Sequence, residues 1–242
     1  MIGCVRLRTD RPPAPHYLRI VTAPIDNALL AALPRAEYRR VAALLEPVTL
    51  TFGDVLHEQG ERVTHVYFPN DSLVSLLTLV DRHLALEVGL VGREGMVGMA
   101  YAMGIGASPF RALVQGTGTA MRMKAAAFRK ELNASASLQR EVHLYAHALM
   151  AQVAKTAACN RFHVVQERLA RWLLMTRDRM RSDRFRLTHD FLANMLGVRR
   201  VGVTMAAQAL RRRKLITYSR GNITIMDGRG LEAAACSCYQ KA

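Results

Sequence analysis

Acidic residues are scarce in this chain: 19 Asp and Glu stand against 34 Lys and Arg, a net charge of +15 with histidines neutral. The few carboxylates are scattered, so no paired acid/base site stands out. A phosphate-binding P-loop, a dinucleotide glycine fingerprint, an H-E-x-x-H pair and a nucleophile elbow are all missing, and nothing reads as an enzyme. No apolar run approaches the roughly 20 residues that span a bilayer. Arg6, Arg8 and Arg11 are not followed by an apolar core of signal-peptide length. The expectation is therefore a cytoplasmic protein with no membrane partner.

Cysteine is sparse too. Cys4, Cys159, Cys236 and Cys238 are the four present, and they offer no pair of ligands at two- to four-residue spacing with a second pair nearby. Cys236-Ser237-Cys238 has one intervening residue. The reading is reduced thiols, no metal and no cofactor, with a redox pair at Cys236/Cys238 as the alternative. Aromatics make up 6% of the chain. In the basic C-terminal third they are Phe162, Trp172, Phe185, Phe191, Tyr218 and Tyr239, too few exposed rings for a base-stacking RNA surface.

What is present is concentrated at one end. Residues 1–160 carry 17 basic and 13 acidic side chains, and residues 161–242 carry 17 and 6. Such asymmetry implies a polyanionic partner. Within that third, Leu187–Leu210 has the spacing of two short helices joined by a tight turn. Phe191, Leu192, Met195 and Leu196 form one apolar stripe; Val198, Val203, Ala206 and Leu210 form the second. Gly197 supplies a residue that tolerates the left-handed region at a helix end, and Ala193 a small side chain where the helices approach. This is a helix-turn-helix, with an ordinary helical hairpin as the bland alternative. Arg199, Arg200, Thr204 and Gln208 are the candidate base contacts. Arg211, Arg212, Arg213 and Lys214 close the second helix, and Leu215–Tyr218 and Asn222–Ile225 alternate as a hairpin tipped by Arg220. These five basic residues are the candidate phosphate contacts.

Upstream, residues 1–24 are rich in Pro and Arg and read as a flexible arm, followed by helical spacing over Asp26–Leu45 broken at Pro34. From Glu46 to about Met123, short β-prone runs alternate with turn signals, the pattern of an antiparallel roll or barrel. Ser137 to about Asn160 is a long helix without Pro or Gly. Leu138, Val142, Tyr145, Leu149, Gln152 and Thr156 follow a heptad, read as a dimer seam, with packing on its own roll as the alternative. Asn160–His163 would be a hinge.

A short-stranded roll, a long helix and a C-terminal winged helix-turn-helix resemble the Crp/Fnr family of bacterial transcription regulators. The resemblance is carried most specifically by ERLARWLL (Glu167–Leu174), LANMLGVRR (Leu192–Arg200) and LITYSRGNITI (Leu215–Ile225). More loosely, the roll matches through Phe52-Gly53-Asp54, Glu58–Glu61 and Arg93–Gly98. It implies an α+β chain: a cyclic-nucleotide-binding-like sensor roll over 25–136, a dimerisation helix over 137–160, and a winged helix-turn-helix over 161–242. It also implies a homodimer on a palindromic double-stranded site, RNA polymerase as a further partner, and an effector of unknown identity. Two positions depart from the family pattern. The reading helix places Val201 and Met205 where the best-known members carry Glu and Arg, so the DNA site should differ. Gly95-Met96-Val97-Gly98 and Ser108–Ala112 lack the Gly-Glu and Arg-Ser/Thr pairs of a cyclic-nucleotide pocket, leaving Arg111 as a solvated or internally paired residue. Cys4 alone cannot hold an oxygen-sensing cluster. Haem ligation by His57, His65 or His83 rests on lone histidines, which are usually structural. A basic tail binding RNA or anionic membrane without sequence choice is the competing function.

Overall fold

The structure, a computed structural model, describes residues 26–81 and 84–239. The proline-rich arm, Cys4 and His83 lie outside these residues. The chain divides into two compact units. One ends at Ala151 and excludes Ala85–Val88; the other comprises Ala85–Val88 and everything from Gln152 onward.

The first unit opens with α1 (Ala28–Ala31) and α2 (Arg35–Ala42), separated at Pro34 as the sequence implied. Asn27 caps α1 and is fully buried, yet its polar atoms are matched. Its carbonyl accepts from Leu30 N, and its amide donates to Pro69 O at 2.9 Å and Gly95 O at 2.8 Å. A buried amide with every group paired fixes the start of the unit in one position.

The roll then follows: β1 (Glu46–Leu50), β2 (Val55–His57), β3 (His65–Pro69), β4 (Leu73–Asp81), β5 (Leu84–Val91), β6 (Arg111–Gly116) and β7 (Gly118–Lys124). Two antiparallel sheets result, ordered β1-β7-β3 and β2-β6-β4-β5. Period-two alternation decides which side chains turn inward. Val48 and Leu50 on β1, and Val66 and Phe68 on β3, are buried. Phe68 meets Phe128 of α4 (Ala125–Ala134) with ring centroids 6.0 Å apart. A short α3 (Met99–Ala102) after Gly98 was not legible in the sequence.

The long helix α5 runs Ala136–Phe162, two residues past its expected end, so the break falls at His163–Val164 rather than across Asn160–His163. The heptad stripe needs a correction. Leu138, Val142, Tyr145 and Leu149 are buried within the single chain and offer no free seam to a partner. Gln152 and Thr156 are half-buried, and Thr156 accepts a hydrogen bond from Arg171. A helix shows the same 3.5-residue periodicity whether its apolar stripe meets its own domain or a second copy.

The second unit contains α6 (Val165–Met180), β8 (Arg184–Arg186), α7 (His189–Leu196), α8 (Arg200–Arg212), β9 (Ile216–Ser219), β10 (Asn222–Ile225) and α9 (Gly228–Ala234). Leu169, Leu173, Leu174 and Trp172 of α6 form its core with Leu192, Val203, Leu210 and Leu231. No described helix is long and apolar enough to cross a membrane.

Candidate nucleic-acid interface

Helices α7 and α8 are built by local rules. Thr188 caps α7, its hydroxyl accepting from Phe191 N at 3.1 Å. Gly197 ends it in the left-handed region (φ 60°, ψ 41°), and Val198 N donates to Ala193 O at 3.0 Å. Leu192, Ala193, Met195 and Leu196 are buried on one side of the turn, and Val203, Ala206 and Leu210 on the other. Phe191 and Val198 are only partly covered.

The opposite face of α8 is left to solvent. Arg199, Arg200, Val201, Met205 and Gln208 are exposed, Val201 at 61% and Met205 at 65%. Two apolar side chains that open, one turn apart and flanked by Arg and Gln, have no packing reason to be there. Arg199 occupies the N-cap of α8 without a capping bond from its side chain to the helix, and the first turn carries no acid. The positive dipole end of this 13-residue helix thus carries no acid of its own, which suits phosphate.

The sequence-derived candidates do not fare alike. Arg200 lies 3.4 Å from Asp190, both well exposed, a pair that contributes little and yields readily to a stronger anion. Thr204 differs: its hydroxyl donates to Arg200 O at 3.1 Å and accepts from His189 Nδ1 at 2.9 Å, so its hydrogen bonds are spent inside the domain. His189 stacks on Tyr218 with centroids 4.2 Å apart, and its Nε2 is buried without a partner. Burial first, and the neighbouring Arg200 charge second, hold its pKa below the usual imidazole value.

Arg211, Arg212, Arg213 and Lys214 are all exposed beyond the reading face. The hairpin β9–β10 turns through Arg220 (φ 48°) and Gly221 (φ 80°), a two-residue loop with both residues at positive φ. Arg220 therefore projects at the tip. A third strand, β8, pairs with β10 and completes a β8-β10-β9 sheet. Phe185 of β8 is buried while Arg184 and Arg186 are exposed, adding two basic residues to the sheet edge. The alternation Arg-Phe-Arg-Leu was the signal for this strand, too short to register among helical segments.

In the roll, Arg111 pairs with Glu58 at 3.4 Å. His57 Nε2 donates to His65 O at 2.9 Å, and burial lowers its pKa. Cysteine spacing along the chain does not describe how the thiols lie in the fold. Cys159, Cys236 and Cys238 come together with His163, which no cysteine spacing brings into view.

Two helices crossing at a left-handed glycine, an open second helix and a basic β-wing define a winged helix-turn-helix domain. Residues 167–234 match the family model of the Crp-like helix-turn-helix domain. Solved structures extend the likeness to the fold of most of the chain. A Crp/Fnr-family regulator from Eubacterium rectale is 18% identical, with 86% of this chain and 97% of that chain covered at a TM-score of 0.66. TTHB099, a CRP-family regulator from Thermus thermophilus, is 18% identical, with coverage of 80% and 99% and a TM-score of 0.68. FixK2 from Bradyrhizobium japonicum is 12% identical, with coverage of 80% and 98% and a TM-score of 0.67. No curated protein sequence matches significantly. Residues 167–234 are thus a Crp-like helix-turn-helix domain, and the fold is that of solved Crp/Fnr-family regulators, so the resemblance read in the sequence is borne out.

Proposed function

We propose that this protein is a dimeric, sequence-specific DNA-binding regulator with a reading code of its own. The observation that carries the proposal is the open face of α8, where Arg200 and Gln208 frame exposed Val201 and Met205. Arg200 is assigned to guanine O6/N7 and Gln208 to an adenine edge, the pairings their donor and acceptor geometry favours. Val201 and Met205 neither accept from cytosine nor donate to guanine; they suit the C5-methyl of thymine. Arg199, Arg211–Arg213, Lys214 and Arg220, joined by Arg184 and Arg186, hold phosphates and set register rather than sequence.

Dimerisation is reassigned to another face of α5. Leu144, Ala148 and Ala151 recur at three- to four-residue spacing and are exposed, Leu144 at 54%. Small and apolar side chains in such a stripe permit close helix packing against a second copy. The roll is proposed to respond to something other than cAMP. Supporting this, the cyclic-nucleotide cassette is altered and Arg111, its one phosphate candidate, is engaged by Glu58.

Selection of bound duplexes from a random pool, without added ligand and at near-physiological salt, tests the reading. The expected product is a two-fold symmetric site, half-sites one helical turn apart, with thymines facing Val201 and Met205. Enrichment of no sequence by the effector-free dimer, at a salt where it still binds duplex, would replace the proposal with non-specific polyanion binding.

A further inference from the structure

Cys159 and His163 lie four residues apart, at and just past the last turn of α5, while Cys236 and Cys238 follow α9. The fold brings these two pairs together. The three Sγ atoms and one imidazole nitrogen all lie within 4.8 Å of one another. Cys159 Sγ is 3.4 Å from Cys236 Sγ, and Cys238 Sγ is 3.7 Å from His163 Nδ1. A disulfide requires sulfurs about 2.0 Å apart. Four ligands around one tetrahedral ion, with metal–sulfur bonds of about 2.3 Å, place their atoms about 3.5–3.8 Å apart, and these two separations lie close to that range. Cys159 and Cys236 are buried, and His163 and Cys238 half-buried, so the cluster is enclosed on its inner side.

A second observation points to a negative charge at this place. Arg168 and Arg171 of α6 are both buried, at 7% and 8% exposure. Arg168 donates to Asn160 Oδ1 at 2.6 Å and to the Leu196 carbonyl, and Arg171 donates to Thr156 Oγ1 at 3.4 Å. None of these acceptors is charged, and the Nε of each guanidinium is buried without a hydrogen bond. Their acceptors Asn160 and Thr156 flank Cys159 on α5, which places both cations beside the cluster. Buried guanidinium groups without a carboxylate need a counter-charge from elsewhere. Three thiolates and a neutral imidazole around a divalent ion leave one net negative charge, which would supply it.

We propose that Cys159, His163, Cys236 and Cys238 bind one zinc ion in a structural Cys3His site. Thiolate and imidazole in a tetrahedral set select zinc over the hard cations. Four protein ligands leave no open position, so the ion fastens the segment after α9 to the end of α5 and performs no chemistry. The site closes the second unit on itself, from one end of its sequence to the other. It stands whether or not the base-reading assignments above are right.

The test uses the full chain, purified with reductant and without chelator. Elemental analysis is expected to find one zinc per chain. Replacement by Co2+ is expected to give the intense visible bands and near-ultraviolet thiolate charge transfer of a tetrahedral cysteine site. Cys238→Ser and His163→Ala should each lower zinc retention under dialysis, and chelation should lower the melting temperature of the wild type but not of Cys159→Ser/Cys238→Ser. A fully reduced wild-type chain that neither retains zinc nor takes up an equimolar amount would overturn the proposal. So would zinc held undiminished by the double variant, or a Cys159–Cys236 disulfide in metal-free protein. Should the variants fail to fold, wild-type metal content and the cobalt spectrum decide.

Discussion

The ring of Tyr145 fills the space in front of Gly95. A Cβ placed on Gly95 would fall 2.0 Å from Tyr145 Cε2, far inside van der Waals contact. One residue of the expected seam of α5 is thereby fastened to the Arg93–Gly98 segment of its own roll. Gly95→Ala is expected to destabilise the first unit by about 1–3 kcal/mol, the usual cost of overpacking. Urea unfolding checks this. Adding Tyr145→Val to Gly95→Ala should recover part of the loss, and no recovery would show that the ring is not the obstacle.

The two faces of α5 should separate cleanly by mutation. Leu149→Ala removes a buried side chain and is expected to cost about 2–5 kcal/mol of stability. Ala151→Glu, on the exposed stripe, should leave melting of the monomer nearly unchanged while shifting sedimentation from dimer to monomer. A dimer undiminished in Ala151→Glu would move the interface elsewhere.

Arg200 and Arg212 are expected to fail in different ways on DNA. Arg200→Ala should weaken the selected site by about 1–3 kcal/mol and relax one base position. Arg212→Ala should weaken all sequences alike and reduce the salt slope by about one. Equal losses on all sequences for Arg200→Ala would reassign it to phosphate.

Val201 and Met205 make a prediction about the DNA rather than the protein. Replacing their facing thymines by uracil deletes only the C5-methyl groups, so binding should fall by about 0.8 kcal/mol for each buried methyl. Quantitative titration on paired duplexes reads this directly. Identical affinities would show that the apolar face of α8 does not touch the groove floor.

His189 ties the reading helix to pH. Its Nδ1 hydrogen bond to Thr204 persists in either charge state, but a second proton would sit on buried, unpartnered Nε2. Burial, then Arg200, depresses its pKa in the folded state. Protons therefore bind the unfolded chain more readily, and stability is full above the usual value near 6.5 and falls as pH drops below it. His57 and His65 shift in the same direction, so the comparison must be with His189→Gln. The melting temperature of wild type should drop more steeply below pH 6.5 than that of the variant. Parallel curves would remove His189 from this role.

The reading head was legible in the sequence because everything that forms it is local. The stripe ending at Leu196, the glycine at 197 and the buried Val203 and Leu210 lie within a few turns of one another, where helix period and backbone sterics act directly. The roll was equally readable as a string of short alternating runs, since strand period fixes which side faces the core. The fold class followed from the order of these pieces.

Tertiary structure decided what covers each surface. Periodicity marks Leu138, Val142, Tyr145 and Leu149 as a stripe to be buried, but only the folded chain shows that they are covered within it while Leu144 and Ala151 stay open. Thr204 reads as an exposed polar residue on α8 until the fold brings His189 of α7 to donate to its hydroxyl. Cys159 and Cys236 are 77 residues apart and carry no mutual signal in sequence spacing. The hydrophobic effect that packs α6 against α8 and α9 is non-directional. What meets at the end of α5 is set by the geometry of the folded unit, and by no local rule along the chain.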